Sequence, residues 1–134
     1  MNVRYILRLL SIGCILPGLF HIGFGVSGDW LIGLSPTGPI DPSLDSQNRF
    51  YGGIFVAYGL ALWVAAADPP RYAPIIRALL GMMFLAGLAR GFSAAAFGWP
   101  TPEVMLLWAT ELLVPAALCV LLNRSLRDVP SDPI

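Results

Sequence analysis

The chain has 134 residues, room for one domain rather than two. Hydrophobic residues make up 57% and charged residues 12%, about half of the roughly 25% found in soluble domains, so the sequence is too poor in charge to cover a water-facing surface. The formal net charge is zero, which excludes the basic footprint of a nucleic-acid binder.

A membrane-crossing helix takes roughly 20 mostly apolar residues. Four runs meet that demand, over residues 5–26, 47–67, 73–97 and 102–123. The first opens "MNVRYILRLLSIGCILPGLF", with Arg4 and Arg8 ahead of an apolar core. A secretory signal has that shape too, but the run is long enough to span and is read as a retained membrane helix. Residues 27–46, "SGDWLIGLSPTGPIDPSLDS", are Gly-, Pro-, Ser- and Asp-rich and read as a long loop with Trp30 as an interface anchor. Asp45 or Ser46 is expected to cap the second helix. "ADPPRYAP" breaks the second run from the third, and "GWPTPE" the third from the fourth. Thr101, Pro102 and Glu103 supply a cap, a first-turn proline and a first-turn acid for the last helix. Residues 124–134 form a short polar tail. Cys14 and Cys119 lie in apolar runs without metal-site spacing and read as packing residues.

The expected fold is therefore all-α: one domain over residues 1–134, a four-helix transmembrane bundle. Arg4, Arg8, Arg71, Arg77, Arg124 and Arg127 fall on one side of four crossings, while Asp29, Asp41 and Asp45 fall on the other. Positive charge marks the cytoplasmic side, so both termini are expected to be cytoplasmic and the long loop extracytoplasmic. All eight basic residues are arginine, a bias that GC-rich bacterial coding produces, and the expected location is a bacterial inner membrane.

Two arginines stand outside that set. A charge inside the hydrocarbon costs roughly 2.5–3.5 kcal/mol and therefore faces a partner or a wet cavity. Arg90 lies about 10 Å below the end of its helix, and Glu111 about 14 Å below the end of the next. Side chains lean toward the N-terminus of their helix, so in antiparallel neighbours these two lean toward each other and are expected to pair. Gly87, Gly91 and Ala94 share the Arg90 face and let another helix come close. Pro115 leaves the Glu111 carbonyl without its helical donor. His21, four residues after Pro17 and about 9 Å inside its helix, and Asn48 with Arg49 complete a polar cluster expected to draw on all four helices. The cluster is either a ligand site or a structural lock.

"NRFYGGIFVAYGLAL" (48–62), "LARGFSAAAFGWP" (88–100) and Glu111 together carry a resemblance. The chain resembles an uncharacterised family of small bacterial four-helix integral membrane proteins, a domain of unknown function loosely akin to the DoxX-like group. The resemblance covers residues 10–123. Its motif elements are Asn48, Arg49, Tyr51, Gly52, Gly53, Arg90, Gly91, Ser93, Gly98, Pro100 and Glu111. Ala89 and Phe97 depart from its pattern, which has a glycine and an acid at those places. It implies a four-helix inner-membrane bundle and brings no activity, cofactor or catalytic residue.

Two functions fit these residues. A pocket lined by Arg90, Glu111, Arg49, His21 and Asn48 would bind a small amphiphile such as a lipid headgroup, quinone or acidic metabolite. Alternatively the cluster only locks the helices of an accessory or scaffold subunit, in which Gly52, Gly59 and Ala66 pack on another membrane protein or on a second copy. Catalysis through Glu111 and His21 ranks behind both, because the sequence has one histidine, no HExxH, no phosphate-binding glycine loop and no activated nucleophile. No metal or cofactor is named by any motif. The expected partners are membrane lipids.

Overall fold

The computed structural model describes residues 3–34 and 37–127. Their regular elements are five helices: α1 (Val3–Phe24), α2 (Val26–Leu31), α3 (Pro42–Ala65), α4 (Ala73–Phe97) and α5 (Pro102–Arg127). The all-α class stands; the four-helix transmembrane bundle does not. Among the described residues three helices, α1, α4 and α5, are long and apolar enough to cross a membrane.

The expected second span fails for a local reason. Asp41 accepts the backbone N–H of Ser43 at 2.7 Å and of Leu44 at 3.4 Å, so α3 starts there, with Pro42 as its first residue. Cap and proline place the helix start well before Asp45 or Ser46. The first two turns are consequently polar, running through Ser43, Asp45, Ser46, Gln47, Asn48 and Arg49. The apolar part runs only from Phe50 to Ala65, interrupted by Tyr51, Gly52, Gly53, Tyr58 and Gly59, and falls short of the roughly 20 residues of a crossing. The long loop is also shorter than expected, since α2 occupies residues 26–31. The assignment of both termini to the cytoplasmic side and of this loop to the outside rested on an even number of crossings, and lapses with it. Residues 124–127 of the expected tail continue α5; residues 128–134 lie outside the described residues.

The chain divides into two compact units. One comprises residues 8–64 and is organised by backbone contact between α1 and α3. A Cβ placed on Gly18 would lie 2.7 Å from the Gly52 carbonyl oxygen, and one on Gly52 would lie 2.8 Å from that of Gly18. A Cβ on Gly59 would stand 2.8 Å from the Ser11 carbonyl oxygen. Only hydrogen fits at these points, which is how small residues let helices pack where burial from water supplies no drive. At the far end of the contact the Arg8 guanidinium lies over the Trp63 ring, 5.1 Å from its centroid.

The other unit contains the α4–α5 hairpin. Gly98, at φ 97°, ends α4 in a conformation that disfavours side chains, and its N–H is bonded to the Ala94 carbonyl at 2.9 Å. Pro102 then opens α5. Gly87 faces Leu112 and the Glu111 Cβ, and Gly91 faces Trp108. At the other end Arg77 donates through Nε and Nη2 to Asn123 Oδ1, at 3.2 and 2.7 Å. Leu85, Phe92, Leu106 and Leu113 are exposed. A water-facing helix would carry charge at such positions, and lipid suits these side chains better.

The α1–α3 contact generates a paired prediction. Gly52→Ala pushes a methyl into helix backbone and should lower stability by about 1–3 kcal/mol. Gly53→Ala, where nothing lies within 4 Å, should be neutral or mildly stabilising through helix propensity. Thermal melts followed by circular dichroism in detergent check both; equal behaviour of the two variants contradicts the contact.

Candidate functional site

The sequence-predicted polar residues fall into two clusters, one in each unit. In the residue 8–64 unit Pro17, set within α1, presents its carbonyl oxygen to His21. His21 Nδ1 donates to that oxygen at 2.8 Å. Its Nε2 lies 3.0 Å from Asp29 Oδ1, and the other Asp29 oxygen accepts from Asn48 Nδ2 at 2.5 Å. Asp29 thus bridges His21 of α1 and Asn48 of α3.

Arg49 sits beside it in α3. Its Nε donates to Asp45 Oδ2 at 2.8 Å, and its Nη1 to the carbonyls of Ile22 and Gly23 at 2.6 and 3.2 Å. These are end carbonyls of α1, which lack helical donors of their own. Asp45 Oδ1 in turn accepts the backbone N–H of Val26 at 3.0 Å, tying the start of α2 to α3. Gly25, at φ 55°, makes the turn between α1 and α2, and a side chain there would run into the Asp45 carboxylate. The Arg49 guanidinium beside Asp45, helped by the Val26 N–H, holds the Asp45 carboxyl below its ordinary value. His21, Asp29, Asp45, Asn48 and Arg49 each bond to another member or to a helix end, and the cluster clamps the ends of three helices.

The second cluster is smaller. Arg90 Nε donates to Glu111 Oε2 at 2.6 Å and Nη2 to Oε1 at 3.0 Å, a two-pronged fork across α4 and α5. The Glu111 side chain is 13% exposed and that of Arg90 41%, so the carboxylate is enclosed while the arginine reaches the surface. The fork leaves the Nη1 edge of the guanidinium outside the pair. Trp108, one turn before Glu111 on α5, packs against Gly91, the residue next to Arg90. Its indole Nε1 is buried and has no hydrogen-bond partner among the described residues. Trp99 stands beside it, with ring centroids 6.0 Å apart. This arrangement can hold an acceptor oxygen against a cation at an apolar surface.

Sequence reasoning did not place Asp29 and Asp45 in a cluster. Asp45 was within reach of it, since it precedes Arg49 by four residues, the spacing of a helical ion pair. Asp29 depends on α2, which is too short to show a period. Gly52 and Gly59, two of the three small residues expected to meet another protein, face α1 instead. Among the described residues no group of three or more His, Cys, Asp or Glu side chains is placed to hold a metal ion.

Fold and clusters together describe a small helical protein with paired charges set among apolar helices. The chain belongs to the family described as a domain of unknown function (DUF4345), whose model matches residues 3–122. No curated protein and no solved structure matches it.

The Asp45 clamp carries a pH dependence. A carboxyl held below its ordinary value adds stability that is fully present above that value and is lost as pH falls through it toward the folded-state value. Apparent melting temperature should therefore drop on acidification through the carboxylate range. Asp45→Asn should be less stable than wild type at neutral pH and show a shallower drop. An unchanged pH profile in that variant contradicts the clamp.

Proposed function

We propose that this protein is a small multi-pass membrane protein, of the inner membrane of a bacterium, that binds a small amphiphile at Arg90 on the α4–α5 hairpin. The observation that carries the reading is the half-used guanidinium. Two of its donors are fixed by Glu111, the remaining edge is exposed, and a buried Trp108 N–H one helical turn from Glu111 has no acceptor. Buried donors in folded proteins nearly always have partners.

Glu111 orients the guanidinium, while the outer edge of Arg90 receives an anionic or carbonyl oxygen. Trp99, whose ring stands beside that of Trp108, supplies an apolar wall. The ligand class is an oxygen-bearing head on a lipophilic body: a lipid headgroup, a quinone or an acidic metabolite. His21, Asn48 and Arg49 belong to the α1–α2–α3 clamp and are not assigned to this site.

Native mass spectrometry of the gently solubilised chain tests the reading. Wild type should carry an added mass of a few hundred daltons, within the range of small amphiphiles that such pockets hold. Replacing only Arg90 would strand an enclosed carboxylate, so the decisive variant is the neutral double, Arg90→Gln with Glu111→Gln. It should melt close to wild type and lose the added mass. A wild-type chain without bound small molecule, or with bound polypeptide in its place, overturns the reading. Glu111→Ala should cost about 1–3 kcal/mol of stability, toward the lower end because Arg90 is 41% exposed, as a chemical-denaturation series checks.

A further inference from the structure

A different part of the hairpin is charged without being neutralised. Because α4 and α5 run antiparallel, the start of α4 and the finish of α5 share one end, as the Arg77–Asn123 bonds show. Arg71, Arg77, Arg124 and Arg127 all gather there, and all four are exposed. The opposite end, residues 98–103, carries Trp99 and Glu103 and no arginine. From these placements we infer that the arginine-bearing end is a binding surface for anionic phospholipid headgroups.

The pairing pattern is what argues for an outside anion. Arg49 and Arg90 each hold a carboxylate. Among the described residues no carboxylate lies within ion-pair distance of Arg71, Arg77, Arg124 or Arg127. Arg77 is held by an uncharged amide, which fixes the direction of its guanidinium and leaves its charge intact. Arg124 follows that amide directly, and Arg127 lies one turn further along the same face of α5. The nearby Asp68 carboxylate accepts the backbone N–H of Arg71 at 3.3 Å; Asp128 lies outside the described residues. Like charges brought together by a fixed backbone call for a shared counterion.

The surroundings say that this anion is a lipid. Ile75, two residues before Arg77, and Leu121, three before Arg124, are exposed. The Arg71 guanidinium lies over the Tyr72 ring, 5.3 Å from its centroid, an aromatic of the kind found at headgroup level. The arginines therefore mark the boundary where lipid-facing side chains stop. A phosphate carrying acyl chains meets both halves of that boundary, and basic residues near a membrane surface attract anionic lipid.

The test uses the full chain reconstituted in mixed bilayers of equimolar phosphatidylcholine and phosphatidylglycerol, then released into detergent for native mass spectrometry. Wild type should retain phosphatidylglycerol over phosphatidylcholine by about tenfold, a preference that added salt weakens. Arg77→Gln with Arg124→Gln should abolish the preference, while Arg77→Lys with Arg124→Lys keeps most of it. Equal retention of the two lipids by wild type, a preference indifferent to salt, or a folded Gln double variant that retains it overturns the inference. Should the Gln variant not fold, the wild-type preference and its salt response decide alone. The neutral Arg90/Glu111 double variant should keep the preference. Its loss there would move the anion to Arg90 and overturn this surface.

Discussion

In an apolar chain with few charges, an arginine set well inside an apolar helix needs a neutraliser close by. Arg90 with Glu111 is that arrangement between α4 and α5, and Arg49 with Asp45 is its counterpart at the end of the α1–α3 contact. Each pair dictates what its neighbours must be. Gly87 and Gly91 bring α5 near enough for the fork to close, and Gly18 and Gly52 bring α3 near enough for Arg49 to reach the end carbonyls of α1. Small residues and paired charges are thus one device: the first sets the distance, the second uses it.

The two pairs differ in completeness. Around Arg49, carboxylate, backbone carbonyls and the start of α2 close into a network with the Asp29–His21–Asn48 set beside it. Such networks specify geometry, since any one member shifted leaves others unsatisfied. Around Arg90 the network is open. The carboxylate is enclosed, but one edge of the guanidinium lies outside the pair and the buried Trp108 indole N–H has no acceptor among the described residues. That contrast separates a clamp from a candidate site within a chain of 134 residues.

Much of the helical plan was legible because its signals are local. Hydropathy marks α1, α4 and α5, and Gly98 with Thr101-Pro102 marks the hairpin turn almost to the residue. The lean of side chains along antiparallel helices foretells that Arg90 and Glu111 face each other. What was misread is the polar stretch from Asp41 to Arg49. Asp41-Pro42 is a helix-start signal of the same form as Thr101-Pro102, yet it lies inside a loop-like composition, and the apolar run after it resembled a span. The six-residue α2 carries too few residues to announce itself, so Asp29 could not be placed. Nor does sequence spacing say which glycines face inside the chain: Gly52 and Gly59 show their neighbours only once α1 is set against α3.

The left-handed glycine at residue 98 has a bearing on how this chain can vary. It reverses the chain between two helices whose working residues, Arg90 and Glu111, are counted off from the turn in opposite directions. Adding or removing a single residue in either helix between the turn and the pair would swing one partner by about 100° around its axis and carry it to another face. The turn is a ruler as well as a bend. Side chains around it can change widely in character while the spacing from Arg90 to Glu111 stays fixed, and it is length, more than identity, that this part of the sequence has to keep.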